Sequence, residues 1–98
     1  MPQKKLKSPL VIRRVIGQSM LPTLPPGALI LGNRWFRSVK PSHIVVIQHE
    51  GREKVKRVLD VRDKQLFVVG DNPGSSKDSR HFGWIDTECV VAKVVRLK

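Results

Sequence analysis

Aliphatic and β-branched residues come in runs of about four, each cut short by a glycine or a polar or charged side chain, and this favours sheet. Residues 9 to 16 read as a first strand ending at Gly17, and 28 to 31, 44 to 47, 54 to 61, 66 to 69 and 90 to 97 as five more, with Gly51 turning the third into the fourth. No stretch carries an apolar stripe of helical period. The expectation is an all-β, mainly antiparallel fold, a small partly closed barrel of five or six strands with little helix. With 98 residues the chain makes one domain, hiding roughly two-thirds of its unfolded surface. Residues 1 to 8 read as a basic flexible arm and 9 to 98 as the single folded domain. Three phenylalanines, two tryptophans and no tyrosine leave Val, Ile and Leu to do most of the packing.

Nineteen Lys and Arg against eight Asp and Glu give a formal charge of +11. Such a field attracts nucleic acid, anionic lipid or acidic peptide, but a solvated basic surface explains it equally, since the cations are spread along the chain. Only Lys4, Lys5 and Lys7 form a dense group. A nucleic-acid-binding β module is the reading of a different class; the lack of a basic stripe and the scarcity of stacking aromatics count against it, so no nucleic-acid partner is expected. The single cysteine, Cys89, rules out an intrachain disulfide and lies in an apolar run, as a structural thiol does. Without a CxxC pair, and with only His43, His49 and His81, a zinc site has no support. No apolar run approaches the roughly 20 residues that cross a bilayer. A soluble, cytoplasmic protein is expected, its membrane contact at most peripheral through the basic arm.

Two segments resist regular structure. Residues 17 to 27 hold three prolines and two glycines, and residues 70 to 83 are rich in Gly, Ser, Asp, Asn and Pro. Two long loops in so small a domain point to function. The first reads Gly17-Gln18-Ser19-Met20-Leu21-Pro22-Thr23, the fourth strand holds Val55-Lys56-Arg57-Val58, and the second loop runs Gly70-Asp71-Asn72-Pro73-Gly74-Ser75-Ser76-Lys77-Asp78-Ser79-Arg80. A serine hydroxyl needs a base to take its proton, and a lysine serves only if its amine is uncharged near neutral pH, which desolvation achieves. Val55 and Val58 are expected to supply the apolar surroundings, with Arg57 on the opposite strand face and solvated.

In this order, the three segments resemble the signature segments of the signal-peptidase family of Ser/Lys proteases. The resemblance implies a catalytic core of that type, with Ser19 as nucleophile and Lys56 as general base. It implies further that Ser76 hydrogen-bonds the lysine and orients it, and that Asp78 and Arg80 brace the site; chemistry alone reads the hydroxyl as donating to the neutral amine, with the carboxylate–guanidinium pair stiffening the loop. Some family members place a serine two residues before the nucleophile as an oxyanion donor. Here that residue is Gly17, so the oxyanion hole is expected to rest on backbone N–H groups around Gly17, including that of Ser19. Gln18, Met20 and Pro22 are expected to contact substrate, Met20 also anchoring the loop in the core. Asp71 and Asn72 read as turn residues.

The three histidines sit in no nucleophile-elbow context, which weakens a Ser-His-Asp alternative. A repressor-type self-cleaving domain would need a helix-turn-helix pattern before Gly17, and none is written there. The short spacer between Lys56 and Gly70, with Asp-Ser-Arg and Phe-Gly following, looks most like the nickel-type superoxide dismutase maturation proteases. That likeness implies an endopeptidase removing an amino-terminal propeptide from a precursor protein, with signal-peptidase-like processing of other precursors as the alternative. The chemistry requires no metal or organic cofactor.

Overall fold

The computed structural model describes residues 8–97. The expected basic arm therefore lies, apart from Ser8, outside the described residues. Seven strands form one sheet: β1 (Leu10–Arg14), β2 (Leu29–Asn33), β3 (Ile44–His49), β4 (Arg52–Arg62), β5 (Gln65–Val69), β6 (Ile85–Asp86) and β7 (Val90–Leu97). Their order in space is β1-β2-β7-β3-β4-β5-β6, and every neighbouring pair is antiparallel. The fold is all-β with little helix, as the short aliphatic runs favour. The sheet is not closed into a full barrel, and β1 and β6 are its edges.

The reason lies in β3. Its residues 44 to 47 are buried on both faces: Ile44 and Val46 enter one core, Val45 and Ile47 another. The first core gathers Val11, Val15, Met20, Leu24, Ile30 and Ala92 beneath the serine-bearing loop. The second gathers Val58, Leu66, Val68 and Ile85 on the opposite side. A barrel has a single interior, whereas this sheet has an apolar layer on each face of its central strand. Burying each such Val, Leu or Ile side chain stabilises the fold by about 1.5–3 kcal/mol. Half-buried Cys89 packs against the second core.

The β3–β4 hairpin turns through Glu50 and Gly51, at φ of 54° and 78°. Two consecutive left-handed residues form the tight turn whose twist suits a hairpin, and glycine adopts the second without cost. The resulting register opposes Val46 to Val55 and Val45 to Lys56. Cross-strand partners share a face. Lys56 therefore stands beside Val45 and, two residues on, Val58, while Val55 packs with the first core on the other face. Val55 and Lys56 both border a cleft that Ser19 also lines, and Val45 is the cross-strand partner of Lys56.

The second irregular segment holds a short helix, α1 (Ser79–Phe82), and leads into the two-residue strand β6. Asp78 caps α1 by accepting from the Arg80 amide at 3.1 Å, and His81 Nδ1 accepts from the Asp78 amide at 3.4 Å. This reciprocal pattern satisfies amides that a helix start leaves without partners.

Candidate active site

Lys56, on β4, is only 4% exposed. Its Nζ donates to Ser76 Oγ at 3.0 Å, and Ser76 Oγ donates to Asp78 Oδ2 at 2.5 Å. Asp78, fully buried, also accepts from the Gly70 amide at 2.8 Å and from Arg80, whose Nη2 reaches Oδ2 at 2.6 Å and whose Nε reaches Oδ1 at 3.0 Å. Lys56, Ser76, Asp78 and Arg80 thus form one hydrogen-bonded chain. Burial by itself would raise the Asp78 pKa, but the bonds from Arg80, Ser76 and the Gly70 amide outweigh it and hold the carboxyl well below the usual range.

An ionised Asp78 has no proton to give, so the single hydroxyl proton of Ser76 points to it. The hydroxyl therefore accepts from the amine and does not donate to it, the reverse of the polarity expected from the sequence. A neutral lysine held in this way spends one N–H on Ser76 and keeps its lone pair for another partner. Burial pushes the Lys56 pKa down; Asp78 works against this, while the positive charges of Lys54 and Arg80 reinforce it.

Ser19 and Lys56 line the same cleft, a space of about 890 Å³ bounded by the end of β1, the serine loop, the start of β4 and residues Ser75 and Lys77. Among the described residues the Ser19 hydroxyl makes no hydrogen bond, to Lys56 or to any other group. Catalytic hydrogen bonds are often long before substrate binds and tighten in the complex. The Ser19 backbone is fixed: its carbonyl accepts from the Asn72 amide at 2.8 Å, and the Gln18 carbonyl accepts from Asn72 Nδ2 at 3.0 Å. Gly17, at φ 80°, occupies backbone space that favours glycine.

Of the residues expected to contact substrate, Gln18 is exposed on the cleft wall. Met20 borders the cleft, but at 1% exposure it belongs to the first core and offers substrate almost no surface. Pro22, joined to Leu21 by a cis peptide, is exposed and lies outside the cleft lining. His81 is an exposed helix residue, and His49 stacks on Phe82 at 4.1 Å between centroids.

Three residues matter more than the sequence suggested. Arg57, expected to be solvated, grips Asp71 with Nε and Nη2, each at 2.8 Å, and Asp71 accepts from Thr23 Oγ1 at 2.6 Å. Asp71 is therefore a clamp between β4 and the serine loop, not a turn residue. The Arg57 bonds hold its carboxyl below the ordinary range. Gly70 sits where the two loops touch: a Cβ there would lie 2.6 Å from the Ser19 carbonyl oxygen and collide with Ser76 Oγ. Its place at the head of the second loop was the only sequence signal; the closeness of Ser19, 51 residues earlier in the numbering, left none.

A comparison with curated proteins finds no match. Residues 52–97 match the family model described as signal peptidase, peptidase S26. The matched stretch holds Lys56, Ser76, Asp78 and Arg80, while Ser19 precedes it. This match, which includes the buried amine, supports a signal-peptidase-like protease.

Proposed function

We propose that the protein is a serine endopeptidase in which Ser19 is the nucleophile and Lys56 the general base, and that it removes an amino-terminal propeptide from a precursor of the nickel-type superoxide dismutase class. The observation that carries this reading is the desolvated Lys56 amine, bonded to Ser76 in a cleft that Ser19 also lines. Ser19 Oγ attacks the scissile carbonyl carbon as its proton passes to Lys56 Nζ; the lysine hands that proton to the departing amine. Water, deprotonated by the same amine, then cleaves the acyl ester and restores the hydroxyl. Backbone N–H groups at Ser19 and its neighbours face the oxyanion. The choice of precursor rests on the resemblance set out from the sequence, namely the Gly-Asp-Asn-Pro, Asp-Ser-Arg and Phe-Gly segments that follow the short stretch after Lys56.

Incubation of the purified chain with such a precursor, followed by mass spectrometry of the new amino terminus, tests the proposal. Ser19→Ala is expected to abolish cleavage and Lys56→Ala to lower it by about 10²–10⁴-fold, the usual contribution of a general base. Normal cleavage by either variant would end the Ser/Lys reading, and an uncut precursor beside other substrates that are cut would end only the choice of substrate.

A further inference from the structure

Charge is distributed unevenly about the cleft. Two acidic residues line it, and both are occupied: Glu53 takes Arg13 Nε at 2.6 Å and Nη2 at 3.2 Å, and Glu50 lies 3.7 Å from Lys54 Nζ. Arg52 and Lys77, also in the lining, are exposed and have no carboxylate partner among the described residues. Of the other acidic residues, Asp71 and Asp78 are held by Arg57 and Arg80. Asp60, Asp63, Asp86 and Glu88 lie along the far half of β4, its turn into β5, and around β6, away from the cleft lining. Residues 1 to 7 bring lysines and no acidic side chain that could neutralise the excess.

Arg14, at the end of β1, is likewise exposed in the lining and without a carboxylate partner among the described residues, but it gives its Nη1 to the Gly27 carbonyl, whereas Arg52 and Lys77 flank the reactive groups. Lys77 follows Ser76, the partner of the Lys56 amine, and Arg52 precedes Lys56 by four strand residues, about 13 Å of extended chain. A peptide laid through the cleft therefore passes one cation within about four residues of the bond over Lys56. Walls of low polarity strengthen such a field relative to open solvent.

We propose that the cleft selects substrate segments carrying an acidic side chain within a few residues of the scissile bond, with Arg52 and Lys77 as the cations that bind it; this rests on the protease reading. Binding is measured with the full chain carrying Ser19→Ala, so that no cleavage intervenes. The probes are three short alanine–serine peptides differing only in Glu, Gln or Lys at two positions, labelled with an uncharged dye and read by anisotropy. At low salt the Glu peptide is expected to bind on the order of fivefold more tightly than the Gln peptide, and the Lys peptide more weakly than either. High salt should draw the three together.

Arg52→Gln with Lys77→Gln should remove the preference, and Arg52→Glu with Lys77→Glu should reverse it in favour of Lys. Both positions are exposed, and circular dichroism melts check that the variants stay folded. Equal binding of the Glu and Gln peptides, or an order that survives charge reversal, overturns the proposal. So does an oligonucleotide that displaces the Glu peptide and loses its own affinity in the same variants, since that marks a general polyanion surface. Acid preference in a chain that cuts no peptide would sink the protease reading alone; cleavage without acid preference would sink only this inference.

Discussion

At the scale of single residues, chemistry turns on where one proton sits. In the proposed role of general base Lys56 acts only as a free amine, so its lowered pKa places the rising limb of kcat/KM against pH below the ordinary lysine value of 10.5. Lys54 contributes to that lowering by its charge. Lys54→Met keeps a long side chain over Phe82 but removes the charge, and should move the limb to higher pH; a limb that stays put would show that burial acts alone. Asp78 makes the complementary prediction for stability. Its folded pKa lies below the ordinary 3.8, so the unfolded chain takes up the proton first as pH falls. Stability from this group is present above about pH 4 and is lost below it. Thermal melts between pH 3 and pH 6 should show a shallower acid limb in Asp78→Asn than in the unaltered chain, and identical slopes would refute the assignment. Ser76 shows the limit of sequence reasoning here: its contact with Lys56 was implied by the resemblance, but the direction of its hydroxyl follows only from the ionised carboxylate beyond it.

At the scale of elements, the serine loop is held against the second loop and β4 by contacts between residues far apart in sequence. Asn72 grips the Gln18 and Ser19 carbonyls, Asp71 holds Thr23, and Gly70 leaves the space in which the loops meet. Gly70→Ala pushes a methyl group into both Ser76 and the Ser19 carbonyl, and is expected to cost about 1–3 kcal/mol, read as a shift in urea midpoint. A chain as stable as the original would mean that the loops separate without penalty. Six of the seven strands were legible as aliphatic runs. The two-residue β6 and four-residue α1 were not, because neither is long enough to carry a period: Ile85 is a strand residue by pairing with Leu66, and α1 exists through the reciprocal caps of Asp78 and His81. The Thr23–Asp71–Arg57 clamp was hidden for a related reason, since it joins three segments that only the sheet brings together. Hydrophobic pattern likewise marks residues 44 to 47 as a strand without revealing that its alternate side chains serve two separate cores.

At the scale of the whole molecule, a thin fold depends on that shared strand. Ile47 is fully buried in the second core, and Ile47→Ala should cost about 2–5 kcal/mol, a large share of the roughly 5–15 kcal/mol that a domain commonly has. Urea unfolding measures it, and a loss under 1 kcal/mol would show the second core to be dispensable. Strand order adds a constraint of another kind. The loop bearing Ser19 joins β1 to β2, Lys56 rides on β4, and β7, reached after both, is the strand that pairs with β2 on one side and β3 on the other. A ribosome that has released the chain only through β6 has thus delivered two sheets with no shared strand, the alcohol on one and the amine on the other. Under the proposed Ser/Lys function, hydrolytic competence then comes late in translation, which spares a half-made chain from cutting whatever emerges beside it.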